Sequence, residues 1–141
     1  MACRKTKLTV DVGSFRRYEV ISRDEVFSKY NGFCAYSGTP LEDDWQIEHV
    51  IPKRRGGGDS IENLVPVQRL INHYKRALTL EEFRTWYLDG LHIRLKKVPK
   101  NPWSEKGIRR KIYMLKVASY FDITPDKPFC GKFYFEQFEE G

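Results

Sequence analysis

The sequence predicts an α+β fold, on three observations. Short β-rich stretches recur at residues 8–20, 45–52 and 62–68. Between and after them come segments with helical periodicity and recognisable cap residues, above all 68–78 and 104–121. No internal repeat or low-complexity linker interrupts the 141 residues, and a 40% hydrophobic content suffices for one compact core. The simplest reading is a single domain over residues 1–141.

In chain order, LTVDVGSFRRYEV alternates apolar residues at Leu8, Val10 and Val12 and breaks at Gly13–Ser14. That pattern predicts a β-hairpin with a glycine-led turn. Ser22 and Glu25 form a capping-box pair that opens a helix over 23–30, with Gly32 as its stop. WQIEHVIP is a strand ending at Pro52, KRRGGGDS a loop freed by three glycines, and ENLVPVQ a second extended segment. QRLINHYKRAL places Leu70, Ile71, Tyr74 and Leu78 on one helical side and Arg69, Asn72, His73 and Arg76 on another. Thr79 and Glu82 cap a further helix through Leu88. LHIRLKKV suits strand or helix, and Pro99 and Pro102 mark a break. Ser104 then caps a helix expected to turn Ile108, Ile112 and Leu115 inward. KFYFEQF has the pattern of a short aromatic tail strand, and Trp86, Trp103 and the tail aromatics are expected in the core.

Formal charge is +6, unevenly spread. Residues 84–120 carry 10 Lys/Arg against 2 Asp/Glu, whereas 34–83 carry 6 against 8. A basic excess of this kind suits an anionic partner, nucleic acid first. Cys3, Cys34 and Cys130 are odd in number and widely spaced, which argues against a disulfide framework. With no signal-like apolar stretch near the N-terminus, the expected location is cytoplasmic.

Residues 48–75 hold the chemistry. Glu48-His49, Pro52, the glycine loop, Asn63 and Asn72 lie on a strand–loop–strand–helix that folds into one small cup. A carboxylate and an amide oxygen are hard ligands suited to Mg²⁺. An imidazole beside them takes a proton from water near neutral pH, and Lys or Arg neutralises phosphate. These are the needs of phosphodiester hydrolysis. One tension is geometric, because neighbours on a strand point to opposite faces and Glu48 and His49 must reach one phosphate. A bulge or a twisted strand end would resolve it.

EHVIPKRRGGGDSIENLVPVQRLINHYK resembles the signature of the HNH endonucleases, the ββα-metal fold, and the resemblance extends over about residues 22–89. It implies a nuclease core there and leaves 90–141 as a basic helical extension. It also implies roles: Glu48 as acidic metal ligand, His49 as general base, Asn63 as the asparagine that holds the loop, Asn72 as second metal ligand and Lys75 as a helix lysine near the phosphate. The implied activity is endonucleolytic cleavage of DNA, double-stranded by expectation, with Mg²⁺ or Mn²⁺. A homodimer is expected if both strands are cut. Lys53, Arg54, Arg55, His73, Lys75, Arg76, Arg109 and Arg110 are the candidate DNA contacts. A non-catalytic DNA-binding module and a nuclease acting on RNA are the alternatives.

The sequence departs from the family pattern at FCAYSG. Many members carry two Cys-x-x-Cys pairs for structural zinc; here the four positions read Cys34, Ser37, Gln68 and Ile71. One ligand of four does not hold the metal. Hydrophobic packing around Cys34 and Ile71 is expected in its place.

Overall fold

The computed structural model describes residues 8–12, 16–97, 100–101 and 103–140. It is an α+β fold with a ββα core. The core comprises β3 (Gln46–His49), β4 (Leu64–Val67) and α2 (Arg69–Lys75). β3 and β4 pair antiparallel with Glu48 opposite Val65 and His49 opposite Leu64. All four residues of β4 are buried, as its continuous apolar run requires. Before this core, β1 (Leu8–Val12) and β2 (Arg16–Val20) pair as the expected hairpin. The Gly13–Ser14 turn, Cys3 and the two break prolines Pro99 and Pro102 lie outside the described residues.

α1 (Arg23–Ser28) is shorter than expected. Ser22 Oγ accepts from the Glu25 amide at 3.0 Å. The reciprocal half of the box is missing, and Glu25 Oε1 is buried without a hydrogen bond. Lys29, just past this helix, donates to the carbonyls of Ile61 at 2.6 Å and Leu64 at 2.9 Å, tying α1 to the entry of β4. The Thr79–Glu82 box is complete and opens α3 (Leu80–Glu82). The helix widens at once into a π-helical stretch, Phe83–Leu88, whose two ends are both buried. LHIRLKKV resolves as a helix, α4 (Leu91–Lys96), because Leu91 and Leu95 one turn apart both reach the core.

Three expectations fail. In α5 (Glu105–Tyr120) the stripe Ile108, Ile112 and Leu115 faces outward, with Ile112 61% exposed. The helix carries a second apolar face, Val117, Ala118 and Tyr120, which runs on into Phe121. Phe121 meets Phe83 and Phe133 edge-on, and that aromatic contact sets the rotation of the helix. The tail forms a helix, α6 (Tyr134–Glu140), instead of a strand. Glu136 Oε1 accepts from the Phe133 amide at 2.8 Å and closes the first turn. Tyr134 and Phe138, four apart, then both pack on Tyr30. Trp86 and Trp103 are not core residues; Trp103 is 86% exposed.

One buried cluster joins the ββα core to its flanks, from Tyr30 and Cys34 through Ile71 and Phe83 to Val117 and Phe133. Phe133 stacks on Phe83 with an interplanar angle of 5°. Arg84 locks the same region by a two-pronged ion pair with Glu136, both contacts at 2.8 Å. No helix among the described residues is long and apolar enough to cross a membrane.

Candidate active site

The knuckle that precedes β3 is held by side-chain hydrogen bonds as well as packing. Gln68, fully buried, donates to Thr39 Oγ1 at 3.0 Å and the Pro40 carbonyl at 2.8 Å, and accepts from the Glu42 amide at 3.0 Å. Ser37 Oγ and Thr39 Oγ1 share a hydrogen bond of 2.7 Å. Cys34 and Ile71 are both fully buried. Packing alone, the expectation from sequence, is therefore corrected: Gln68 stitches the loop to the start of α2 with three bonds. Glycine is required at position 38, where φ is +73° and a Cβ would come 2.6 Å from the Tyr134 ring.

The loop between β3 and β4 is pinned by Asn63. Its Oδ1 accepts from the Ile51 amide at 2.8 Å, and its Nδ2 donates to the carbonyls of Ile51 at 3.1 Å and Gly58 at 2.9 Å. The glycine run serves close approach: a Cβ on Gly57 would lie 1.7 Å from the Ile51 carbonyl oxygen. This folding brings Asp59 back to His49, with Oδ1 2.8 Å from Nε2. Lys53 also reaches Asp59, at 3.2 Å, and these two partners hold its carboxyl below the ordinary range. An ionised Asp59 accepts only, so Nε2 of His49 is the donor in this pair and Nδ1 is the nitrogen left for other partners.

Glu48 and His49 leave the strand in different directions, and the β3–β4 register runs through all four pairs without a bulge. Both nonetheless border one open hollow of about 370 Å³, together with Lys53, Arg54 and Arg76. The hollow's position at the end of the strand reconciles the two directions.

Glu48 itself is buried. Lys75 Nζ lies 2.9 Å from its Oε2 and donates to the Val50 carbonyl at 3.4 Å. The Lys75 ammonium is the charge partner of Oε2. Burial raises the Glu48 pKa, and the ammonium opposes that rise. The Tyr36 hydroxyl is buried beside the Glu48 carboxylate; burial first, then the charge of Glu48, pushes its pKa well above 10. Lys75 is 0% exposed. The expectation that it touches phosphate is corrected: no solvent-side ligand reaches it, and its partner is Glu48.

Asn72 lies on α2 facing β3, where Nδ2 donates to Gln46 Oε1 at 2.6 Å. That bond leaves Oδ1 without a donor among the described residues. Asn72 does not line the Glu48–His49 hollow. Of the basic candidates, Arg55 is drawn off to Glu82 at 3.0 Å, and Arg109 lies 3.8 Å from Glu105. His73, Arg76 and Arg110 border a second hollow. Sequence reasoning missed Asp59, Gln46, Tyr36 and Gln68. Asp59 alone had a signal, an acidic residue in a loop that must fold back over a histidine.

The donor types fit a hard divalent cation. Glu48 offers a carboxylate whose Oε2 is ion-paired to Lys75, and Asn72 offers an amide oxygen that accepts no hydrogen bond among the described residues. Among the described residues there is no cluster of three or more His, Cys, Asp or Glu.

Residues 34–79 match the family profile described as HNH endonuclease. The match is to this segment, about a third of the chain. The matched span begins at Cys34 and takes in both strands, the Asn63 loop and all of α2, so it coincides with the ββα core. The likeness to HNH endonucleases makes nuclease activity the general expectation for the matched segment. No curated protein matches it.

Proposed function

We propose that the chain is a metal-dependent DNA endonuclease that hydrolyses phosphodiester bonds with His49 as general base. The observation that carries the reading is the shared hollow, where Glu48 and an Asp59-held His49 open between Lys53, Arg54 and Arg76. In this reading the whole chain acts as one domain, with residues 22–89 as the nuclease core and 90–141 as a basic extension.

Glu48 and Asn72 would hold Mg²⁺ or Mn²⁺, which when bound supplies charge stabilisation at the scissile phosphate and the leaving oxygen. The chain's own groups do the rest. Asp59 accepts from Nε2 and fixes the imidazole, leaving Nδ1 to take a proton from water as its oxygen bonds to phosphorus and the opposite P–O bond breaks. Arg54 and Arg76, which have no ion pair among the described residues, neutralise the phosphate backbone at the rim. Asn63 takes no part in bond making; it holds the loop that brings Asp59 to His49.

A second reading, a DNA-binding module that does not cut, draws on one observation: the Lys75 ammonium already pairs with Glu48. Plasmid incubated with Mg²⁺ or Mn²⁺, with an EDTA control and an Asn72→Ala variant, separates the two. Cleavage that requires the metal and falls with Asn72→Ala supports the nuclease. A gel shift with no cleavage under any divalent ion supports the module.

A further inference from the structure

The second hollow, of about 550 Å³, lies across α2, the π-helical stretch and α5. That volume falls within the range of about 300–1,000 Å³ typical of small-ligand sites. Apart from Met114, its lining divides in two. Tyr74, Tyr87 and Tyr113 supply aromatic surface, all only partly buried. His73, Arg76 and Arg110 supply nitrogen donors. No carboxylate lines it, and neither guanidinium has an ion pair among the described residues. A site with two free guanidinium groups and three rings suits an anion that carries a flat aromatic group.

Arg76 connects this hollow to the catalytic one, since it borders both. It is also one of three described non-glycine residues with positive φ, at φ 54° and ψ −135°. A backbone held there costs free energy and persists where the surroundings demand it. Its place at the end of α2 sets the side chain between the two hollows. The rings are ordered before any ligand arrives: Tyr74 lies 4.9 Å from Tyr87 and 5.8 Å from Tyr113, and Tyr113 donates to the Leu70 carbonyl at 3.2 Å.

We infer that this hollow receives an unpaired nucleotide next to the scissile phosphate, its base against the tyrosines and its phosphate on Arg76 and Arg110. The inference rests on the nuclease reading for the word scissile, and it narrows the substrate to DNA with an unpaired or extruded base near the cut. A perfect duplex keeps its bases stacked inside and presents only backbone; taking a base out costs less where it is already unpaired. Stacking on aromatic side chains repays part of that cost without regard to sequence.

The test uses the His49→Ala protein without metal, so that binding is read apart from cleavage. Two DNA duplexes serve as probes, one fully paired and one with a single unpaired 2-aminopurine. Anisotropy gives affinity, and 2-aminopurine fluorescence reports stacking. The expected result is about tenfold tighter binding of the unpaired probe with quenched fluorescence. That preference should disappear in Arg110→Glu, an exposed substitution, and in Tyr113→Leu once circular dichroism has shown it folded. Equal affinity for the two probes, or a preference that survives Arg110→Glu, overturns the inference. A preference in binding with no cleavage by the unsubstituted protein removes the nuclease reading and leaves the hollow's ligand standing. Cleavage of both duplexes at one rate, with no preference in binding, does the reverse.

Discussion

Lys75, fully buried on α2, holds its ammonium 2.9 Å from the Glu48 carboxylate on β3. This pair joins the helix to the sheet at the candidate site. Removing one partner strands the other charge in the interior, and that penalty exceeds whatever the intact pair contributes.

Lys75→Met therefore destabilises the protein by about 3–5 kcal/mol. The double substitution Glu48→Gln, Lys75→Met recovers most of that loss, because no lone charge remains buried. Urea unfolding of the singles and the double measures it. Additive losses would mean that the two residues do not act as a pair.

Gln68 predicts a different loss. Gln68→Ala removes three hydrogen bonds and leaves Thr39, the Pro40 carbonyl and the Glu42 amide without their partner. Each orphaned group that stays out of water costs about 1–3 kcal/mol. Thermal unfolding should show a clear fall in Tm for Gln68→Ala, and no change in the unsubstituted protein on adding a zinc-selective chelator.

How far the sequence could be read depends on which residues carry a spacing. Glu48, His49, Asn63 and Asn72 stand out because strand, loop and helix give each a position in one motif, and the ββα core follows from the same spacing. Lys75 misleads because a lysine on a helix is ordinarily solvated, and only three-dimensional packing shows that Glu48 draws it inside. Gln68 is invisible as a cross-link, since its partners lie 26 to 29 residues away. The tail reads as a strand because Phe133, Tyr134 and Phe135 have strand propensity, whereas Glu136 and Arg84 decide for helix through contacts 52 residues apart. Two apolar stripes on α5 compete, and the choice between them rests on aromatic partners far along the chain.

The tail should loosen in acid. Arg84, first among its contacts, holds the Glu136 carboxyl below its ordinary value of 4.5. A depressed pKa contributes stability that is fully present above about 4.5 and is lost as pH falls through the lower folded value. Tyrosine fluorescence and hydrogen exchange of 134–138 should report loosening over that range. Glu136→Gln should abolish this part of the pH dependence.

Asp59 fixes the tautomer of His49 from an exposed loop. Asp59→Asn can present its amide nitrogen to Nε2 and favour the wrong tautomer. Single-turnover cleavage should slow by up to about 10⁴-fold, the cost of the wrong tautomer in a Ser-His-Asp triad. DNA affinity, measured by anisotropy, should change little. A large loss of affinity with an unchanged rate constant would make Asp59 a binding residue instead.

The most direct test of the nuclease reading is the single-turnover rate of plasmid cleavage in Mg²⁺ for the unsubstituted protein and for His49→Ala. The account predicts a loss of about 10²- to 10⁴-fold in rate, with DNA binding retained. Equal rates for the two proteins would contradict it.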